Sequence, residues 1–85
     1  MNVQFRASFA KDLRNKEVLG RVKEAIEHVE QAQNLQDIAN LKKLKGGGNY
    51  YRIRIGEYRI GLEIEGEIVV FVRCLNRKEV YRYFP

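Results

Sequence analysis

The segment from Tyr51 to Gly61 constrains the fold most, because apolar and basic residues alternate on both sides of a Gly-Glu pair. Successive side chains of a strand point to opposite faces, so this period of two predicts two strands with one apolar face. A two-residue turn at Gly56-Glu57 would join them into a tight hairpin that pairs Ile55 with Tyr58. The sequence therefore predicts a β-hairpin with its register fixed by the turn.

The same register brings basic side chains together on the polar face of this hairpin. Arg54 lies opposite Arg59, and Arg52 lies opposite Gly61. Like charges directly opposite one another destabilise a sheet by a few tenths of a kcal/mol to ~1 kcal/mol. We interpret the arginine pair as a site that holds an anion, and Gly61 as space for a ligand or another backbone.

The remaining chain predicts an α+β fold. A strand is expected over Val3–Phe9, followed by a helical turn capped by Ser8 and running to Arg14. Apolar residues at three- and four-residue spacing predict a helix over 16–33. A connection over 34–49 is expected to be anchored by four apolar residues, Leu35, Ile38, Leu41 and Leu44. Strands over 50–55, 58–64 and 68–75 would form an antiparallel meander, which makes residues 1–85 one βααβββ domain with both helices on one face of the sheet.

The second hairpin extends the basic face if its loop has three residues, Glu65-Gly66-Glu67. Ile64 would then pair with Ile68, and Arg59 with Arg73. The prediction is a row of arginines across three strands, Arg54, Arg59 and Arg73. It depends on both turns, since a slip of one residue moves every side chain to the other face.

The charge of the chain is concentrated in its second half. Residues 42–85 hold ten basic and five acidic side chains, whereas residues 1–41 hold six of each. This asymmetry favours an anionic partner, of which nucleic acid is the commonest. Lys42, Lys43 and Lys45 precede three consecutive glycines, and they either contact phosphate or are exposed loop lysines.

The cellular location is predicted from the absence of targeting and membrane-spanning segments in the sequence. It has no signal-peptide pattern and no apolar run of membrane-spanning length. The single cysteine, Cys74, lies in an apolar strand and is expected to be a buried packing residue. We therefore expect a cytoplasmic protein with no membrane partner.

Arginines gathered on one surface are suited to a phosphodiester, because guanidinium binds phosphate through two hydrogen bonds and stays charged. RNA carries its own nucleophile, the 2′-hydroxyl, so a cationic cluster can stabilise the phosphorane without a metal ion. The basic face also has no carboxylate cluster of the kind that holds Mg²⁺. The sequence therefore predicts no metal and no cofactor.

The chain resembles toxins of the RelE/ParE superfamily of type II toxin–antitoxin systems. Three segments carry the resemblance, namely Leu44-Lys45-Gly46, residues 51–60 and residues 72–82. The resemblance implies a cytoplasmic toxin that cleaves messenger RNA, typically on the ribosome. It also implies a cognate antitoxin protein, with which the toxin forms a hetero-oligomeric complex.

Five positions match the basic and tyrosine residues of the RelE branch. The resemblance implies that Arg52, Arg54 and Arg59 neutralise the scissile phosphate. Arg77 would act at the leaving oxygen, and Tyr81 would be the base for the 2′-hydroxyl. The alternative for Tyr81 is a structural role, in which its buried side chain anchors the C-terminal segment.

Two departures from the family pattern affect the expected chemistry. Many relatives carry a histidine where this chain has Asn76, and some carry lysines at the positions of Arg52 and Arg54. Asparagine exchanges no protons and arginine is a poor proton donor. The chemistry is therefore expected to depend on electrostatic stabilisation and on Tyr81.

Two other functions compete with the nuclease. A ParE-like toxin inhibits DNA gyrase by binding and cleaves nothing, but that branch usually lacks the basic-plus-tyrosine set. A plain nucleic-acid-binding domain would use the same basic surface. The presence of all five residues favours the endoribonuclease.

Overall fold

The computed structural model describes residues 1–14 and 18–85, in which five strands form one sheet. The strands are β1 (Asn2–Phe5), β2 (Leu41–Lys43), β3 (Tyr50–Ile55), β4 (Tyr58–Glu65) and β5 (Ile68–Asn76). The helices are α1 (Ala7–Asp12), α2 (Leu19–Gln31) and α3 (Val80–Tyr83), with a 3₁₀ turn over Leu35–Asp37. The sheet order is β1-β5-β4-β3-β2, with β1 parallel to β5 and the other pairs antiparallel.

The helices α1 and α2 cover one face of the sheet, as predicted. Phe9 of α1 and Val22 and Val29 of α2 are buried against the inward side chains of the meander. That inward set is Ile53, Ile55, Ile60, Leu62, Ile64, Val69, Phe71 and Cys74. The α+β meander and the burial of Cys74 are confirmed. No helix within residues 1–14 and 18–85 is long and apolar enough to cross a bilayer.

The first hairpin has the predicted register in every pair. Ile55 pairs with Tyr58, Arg54 with Arg59, and Arg52 with Gly61. The turn glycine, Gly56, has a φ of +56°, which is the left-handed conformation that a tight two-residue turn requires. The turn residues and the alternation of apolar and basic side chains both indicate this register, so the sequence was sufficient to predict the pairing of the first hairpin.

The N-terminal third differs from the prediction in its boundaries. The first strand ends at Phe5 rather than at residue 9, and Arg6 occupies the N-cap of α1 without a side-chain hydrogen bond. Ser8 is therefore not a cap; it lies inside α1, where its Oγ donates to the Val72 carbonyl at 2.6 Å. The helix predicted over 16–33 is observed over Leu19–Gln31, and residues 16–17 lie outside the described residues.

The predicted register of the second hairpin is wrong. Glu65 pairs with Ile68, so the loop has two residues rather than three. The register then shifts between Gly61 and Leu62, which pair with Arg73 and Phe71, and Val72 is the extra residue of a bulge. Arg59 consequently pairs with Leu75, and the predicted row of arginines across three strands does not exist.

A second, smaller apolar cluster covers the opposite face of the sheet. The C-terminal residues Val80 and Phe84 pack there with Leu75, Leu44 and Tyr50. The Phe84 ring meets the Tyr50 ring edge-on, with centroids 5.6 Å apart. A Cβ added at Gly61 would lie 2.7 Å from the same Phe84 ring, so the space above Gly61 is occupied by a side chain of the protein itself.

Replacing Gly61 by alanine is expected to lower the free energy of unfolding by about 1–3 kcal/mol, as overpacking does. The reason is that the new methyl group would displace Phe84 from its buried position. Gly20 of α2 is the matched control, since a Cβ there meets nothing within 4 Å. Gly20→Ala should stabilise the protein by roughly 0.5–1 kcal/mol, because alanine is the better helix former.

Chemical denaturation of four proteins tests the Gly61–Phe84 contact. They are the parent, Gly61→Ala, Phe84→Ala and the double variant that carries both substitutions. In a Phe84→Ala background the penalty at Gly61 should disappear, because the clashing ring is gone. An equal penalty in both backgrounds would contradict the contact.

Candidate functional site

An open depression of about 380 Å³ lies at the tip of the first hairpin. Four arginines line it together with one carboxylate and an amide: Arg21, Arg54, Arg59, Arg77, Glu57 and Asn40. We call this depression the arginine cleft. Its residues come from α2, the β3–β4 hairpin, the connection before β2 and the chain after β5, so only the tertiary fold assembles it.

Arg59 is the most constrained side chain of the arginine cleft. Its Nη1 donates to the carbonyls of Gly56 at 2.8 Å and of Tyr58 at 2.9 Å. These bonds hold the guanidinium against the turn. Among residues 1–14 and 18–85 no hydrogen bond of Arg59 Nε or Nη2 is found, and guanidinium binds phosphate through such pairs of parallel donors.

The electrostatic surroundings of Arg59 show which groups lie near it. Burial, followed by the positive charges of Arg52 and Arg54, lowers the pKa of Arg59; Tyr81 acts in the opposite direction, and Arg77 lowers it further. The guanidinium nevertheless stays charged near neutral pH. A concentration of cations that repel one another is a site where a bound anion is stabilised.

Arg77 is fixed to the hairpin turn by two contacts with Glu57. Its Nε forms an ion pair with Glu57 Oε2 at 2.9 Å, and its backbone N donates to the Glu57 carbonyl at 2.8 Å. Both side chains are more than half exposed, and exposed ion pairs contribute little stability. A phosphate group can therefore replace the Glu57 carboxylate at small cost.

Tyr81 lies on α3, which the second apolar cluster fastens to the sheet. Its neighbour Val80 is fully buried and Phe84 is 3% exposed, whereas Tyr81 itself is 64% exposed. The buried neighbours thus fix the position of α3, while the Tyr81 ring and its hydroxyl are exposed to solvent. Tyr81 lines a groove separate from the arginine cleft, although it is close enough to raise the pKa of Arg59.

The predicted phosphate-binding residues outside the arginine cleft occupy two other places. Lys43 and Lys45 line the groove of about 350 Å³ that also contains Tyr81. Arg52 lies in the sheet between Lys42 and Gly61, and its Nε is buried without a hydrogen-bond partner in the described part of the chain. The structure thus brings Arg54, Arg59 and Arg77 together in the arginine cleft, with Arg52 close enough to act electrostatically on Arg59, whereas the two lysines lie in the separate groove.

Arg73 lies elsewhere, contrary to the prediction. Its Nε and Nη2 donate to the Asp12 carboxylate of α1 at 2.7 and 3.1 Å, and Asp12 also accepts from the Cys74 backbone at 2.9 Å. The hydrogen bond to Asp12 raises the pKa of Arg73. Its guanidinium carbon also lies 5.9 Å from the centroid of the Tyr83 ring. Arg73 therefore joins α1 to β5 at the bulge and is not a residue of the arginine cleft.

Sequence reasoning missed three side chains of the arginine cleft, those of Arg21, Asn40 and Glu57. In the sequence, Arg21 belongs to the charged face of a predicted helix, four residues after Glu17, which lies outside the described residues. For Glu57 the sequence predicts only a place in the turn of the first hairpin. Nothing in the local pattern of these three residues indicates that α2 would run past the tip of the first hairpin.

Comparison with known proteins gives one family and several relatives. Residues 3–81 match the family described as ParE toxin of the type II toxin–antitoxin system parDE. The chain is 44% identical over 88 residues to Toxin RelE3 of Methanocaldococcus jannaschii, with both chains covered completely.

Solved structures have the same architecture. The crystal structure of the RelB–RelE antitoxin–toxin complex from Methanococcus jannaschii matches with a TM-score of 0.81 and 42% identity, covering 96% of this chain and 99% of the matching one. YafQ from E. coli matches with a TM-score of 0.73, covering 94% and 97%. At 12% identity, the likeness to YafQ supports the fold alone.

Proposed function

The chain belongs to the ParE toxin family of type II toxin–antitoxin systems, and we propose that it is a RelE-like toxin that cleaves messenger RNA on the ribosome. One observation carries the proposal: Arg54, Arg59 and Arg77 line the same cleft, with Tyr81 near enough to raise the pKa of Arg59. A cleft dominated by guanidinium groups favours a phosphodiester over a neutral or cationic substrate.

The reaction is attack by the RNA on itself. Arg54 and Arg59 bind the non-bridging oxygens of the scissile phosphate and stabilise the charge of the phosphorane. The 2′-oxygen forms a bond to phosphorus while Tyr81, acting as its phenolate, takes the 2′-hydroxyl proton. The bond from phosphorus to the 5′-oxygen breaks, and Arg77 stabilises the negative charge on that oxygen until it takes a proton from a water molecule. The products are a 2′,3′-cyclic phosphate and a 5′-hydroxyl.

Asn76 has a structural part in this arrangement. It pairs with Tyr58 at the end of β5, and its Oδ1 accepts from the Lys78 backbone at 2.9 Å. Asn76 thereby shapes the turn that carries Arg77 but transfers no proton. The proposed mechanism accordingly depends on electrostatic stabilisation by the arginines and on Tyr81.

A cognate antitoxin is the proposed protein partner, in a hetero-oligomeric complex. The M. jannaschii relative was solved as an antitoxin–toxin complex. Tyr81 and Tyr83 are both at least half exposed on α3, beside a basic surface, and such a surface is suited to an acidic segment with apolar anchors. Release of the toxin from that partner would expose Tyr81 to RNA.

Inhibition of DNA gyrase is the second candidate, favoured by the ParE name of the matching family. The two functions differ in what is broken after induction of the protein. Sequencing of messenger RNA ends should find cuts within translated codons, with no gyrase-linked DNA breaks. Intact messages together with gyrase-linked breaks would overturn the endoribonuclease.

A further inference from the structure

We propose that a second depression, beside the arginine cleft, binds one nucleobase of the RNA whose phosphate lies in that cleft. This inference rests on the proposed function. The depression lies between α2 and the end of β3, and we call it the base pocket. Its floor is apolar, formed by Ile38, Ile53 and Ile55, and its rim is polar, with Glu24 and Asn40 among its residues.

The size and floor of the base pocket fit a single flat ring system. Its volume is about 190 Å³, below the roughly 300–1,000 Å³ of pockets for drug-sized ligands. Its three isoleucines belong to the main core and are almost completely buried, so the floor is rigid. A nucleobase has an apolar face to lay on such a floor, whereas a phosphate or ribose has none.

The base pocket and the arginine cleft share a rim. Arg21, Asn40 and Arg54 line both depressions. Asn40 has a left-handed φ of +63°, and its carbonyl accepts from the Arg54 backbone at 3.3 Å, so the chain turns where the two depressions meet. A nucleotide with its phosphate in the arginine cleft therefore has the base pocket beside it.

Glu24 gives the base pocket its selectivity. No ion pair or hydrogen bond of its carboxylate is found among residues 1–14 and 18–85. His28, one turn further along α2, also lines the pocket. A carboxylate repels phosphate but accepts from the N–H groups of a base edge, which is how proteins read unpaired RNA bases.

Guanine matches this carboxylate best among the four bases. Guanine presents its imino and amino N–H groups side by side, so both oxygens of Glu24 can accept. Uracil has one N–H, flanked by two carbonyl oxygens that the carboxylate repels. The proposal is therefore a preference for guanine next to the scissile phosphate, set by Glu24.

Glu24→Gln tests the preference, and Glu27→Gln on the exposed side of the same helix is the matched control. Cleavage ends are sequenced after induction of each variant. The parent and Glu27→Gln should enrich guanine at one fixed position relative to the cut. Glu24→Gln should reduce that enrichment by roughly fivefold or more, within the range that a bidentate base contact supplies. An unchanged base distribution would overturn the base pocket and leave the nuclease standing.

A binding measurement tests the base pocket independently of cleavage. The probes are 2′-O-methylated trinucleotides with a central guanine or a central uracil, which cannot be cut because the nucleophile is blocked. The guanine probe should shift the backbone amide signals of Ala39 and Asn40 more than the uracil probe, and Glu24→Gln should abolish the difference. Equal shifts with both probes, or no shift at Ala39 and Asn40, would overturn the base pocket even if the chain cuts no RNA.

Discussion

Arg59→Ala is expected to reduce the rate of messenger RNA cleavage by roughly 10²–10³-fold, as removal of a single transition-state donor does in other enzymes. Within the arginine cleft, Arg59 is held in place because two backbone carbonyls of the turn fix its Nη1. The positive charges of Arg52, Arg54 and Arg77 all act on Arg59. Single-turnover cleavage of a defined message on purified ribosomes measures the effect.

Two controls separate chemistry from fold and from net charge. Thermal unfolding of Arg59→Ala should be close to that of the parent, since its side-chain bonds involve only carbonyls at the hairpin tip. Arg6→Ala removes the same charge from an exposed position at the start of α1 and should cleave like the parent. Equal losses in Arg59→Ala and Arg6→Ala would mean that only overall charge matters.

Tyr81→Phe is expected to reduce cleavage by roughly 10²–10⁴-fold, the range for loss of a general base. The substitution removes one oxygen from a ring that is 64% exposed, so α3 keeps its buried contacts through Val80 and Phe84. Substrate binding should change little, because Arg54 and Arg59 are intact. The loss should therefore appear in the cleavage rate of the bound message rather than in its affinity.

Tyr83→Phe is the matched control for Tyr81→Phe. Tyr83 lies on the same short helix and is half exposed, but its ring faces Arg73 rather than the groove that Tyr81 lines. Its hydroxyl should be dispensable for cleavage. A Tyr81→Phe variant as toxic as the parent would remove Tyr81 from the mechanism.

The first hairpin could be predicted from the sequence because two independent signals agreed there. Strict alternation fixed which residues face the core, and a glycine in the turn fixed the pairing. The positions of Arg54 and Arg59 followed directly. Their convergence with Arg77 rested on family resemblance, since the sequence alone does not show that the chain after β5 returns to the hairpin tip.

The second hairpin could not be predicted because its strand offers no alternation. Residues 68–72 are all apolar, so either face of β5 satisfies the core and the pattern fixes no register. The bulge at Val72 then shifts the pairing and turns Arg73 toward Asp12. Likewise β2 has only three residues, two of them lysines, and is defined by pairing with β3 rather than by its own propensity.

Cleavage of a ribosome-bound message with a single blocked 2′-hydroxyl tests the central claim most directly. The message carries a 2′-O-methyl group at the nucleotide just before the mapped cut, and an unmodified message serves as reference. The proposed mechanism predicts a cut with a 2′,3′-cyclic phosphate end in the unmodified message and no cut at the blocked position. Cleavage at the blocked position would contradict the proposed attack by the RNA on itself.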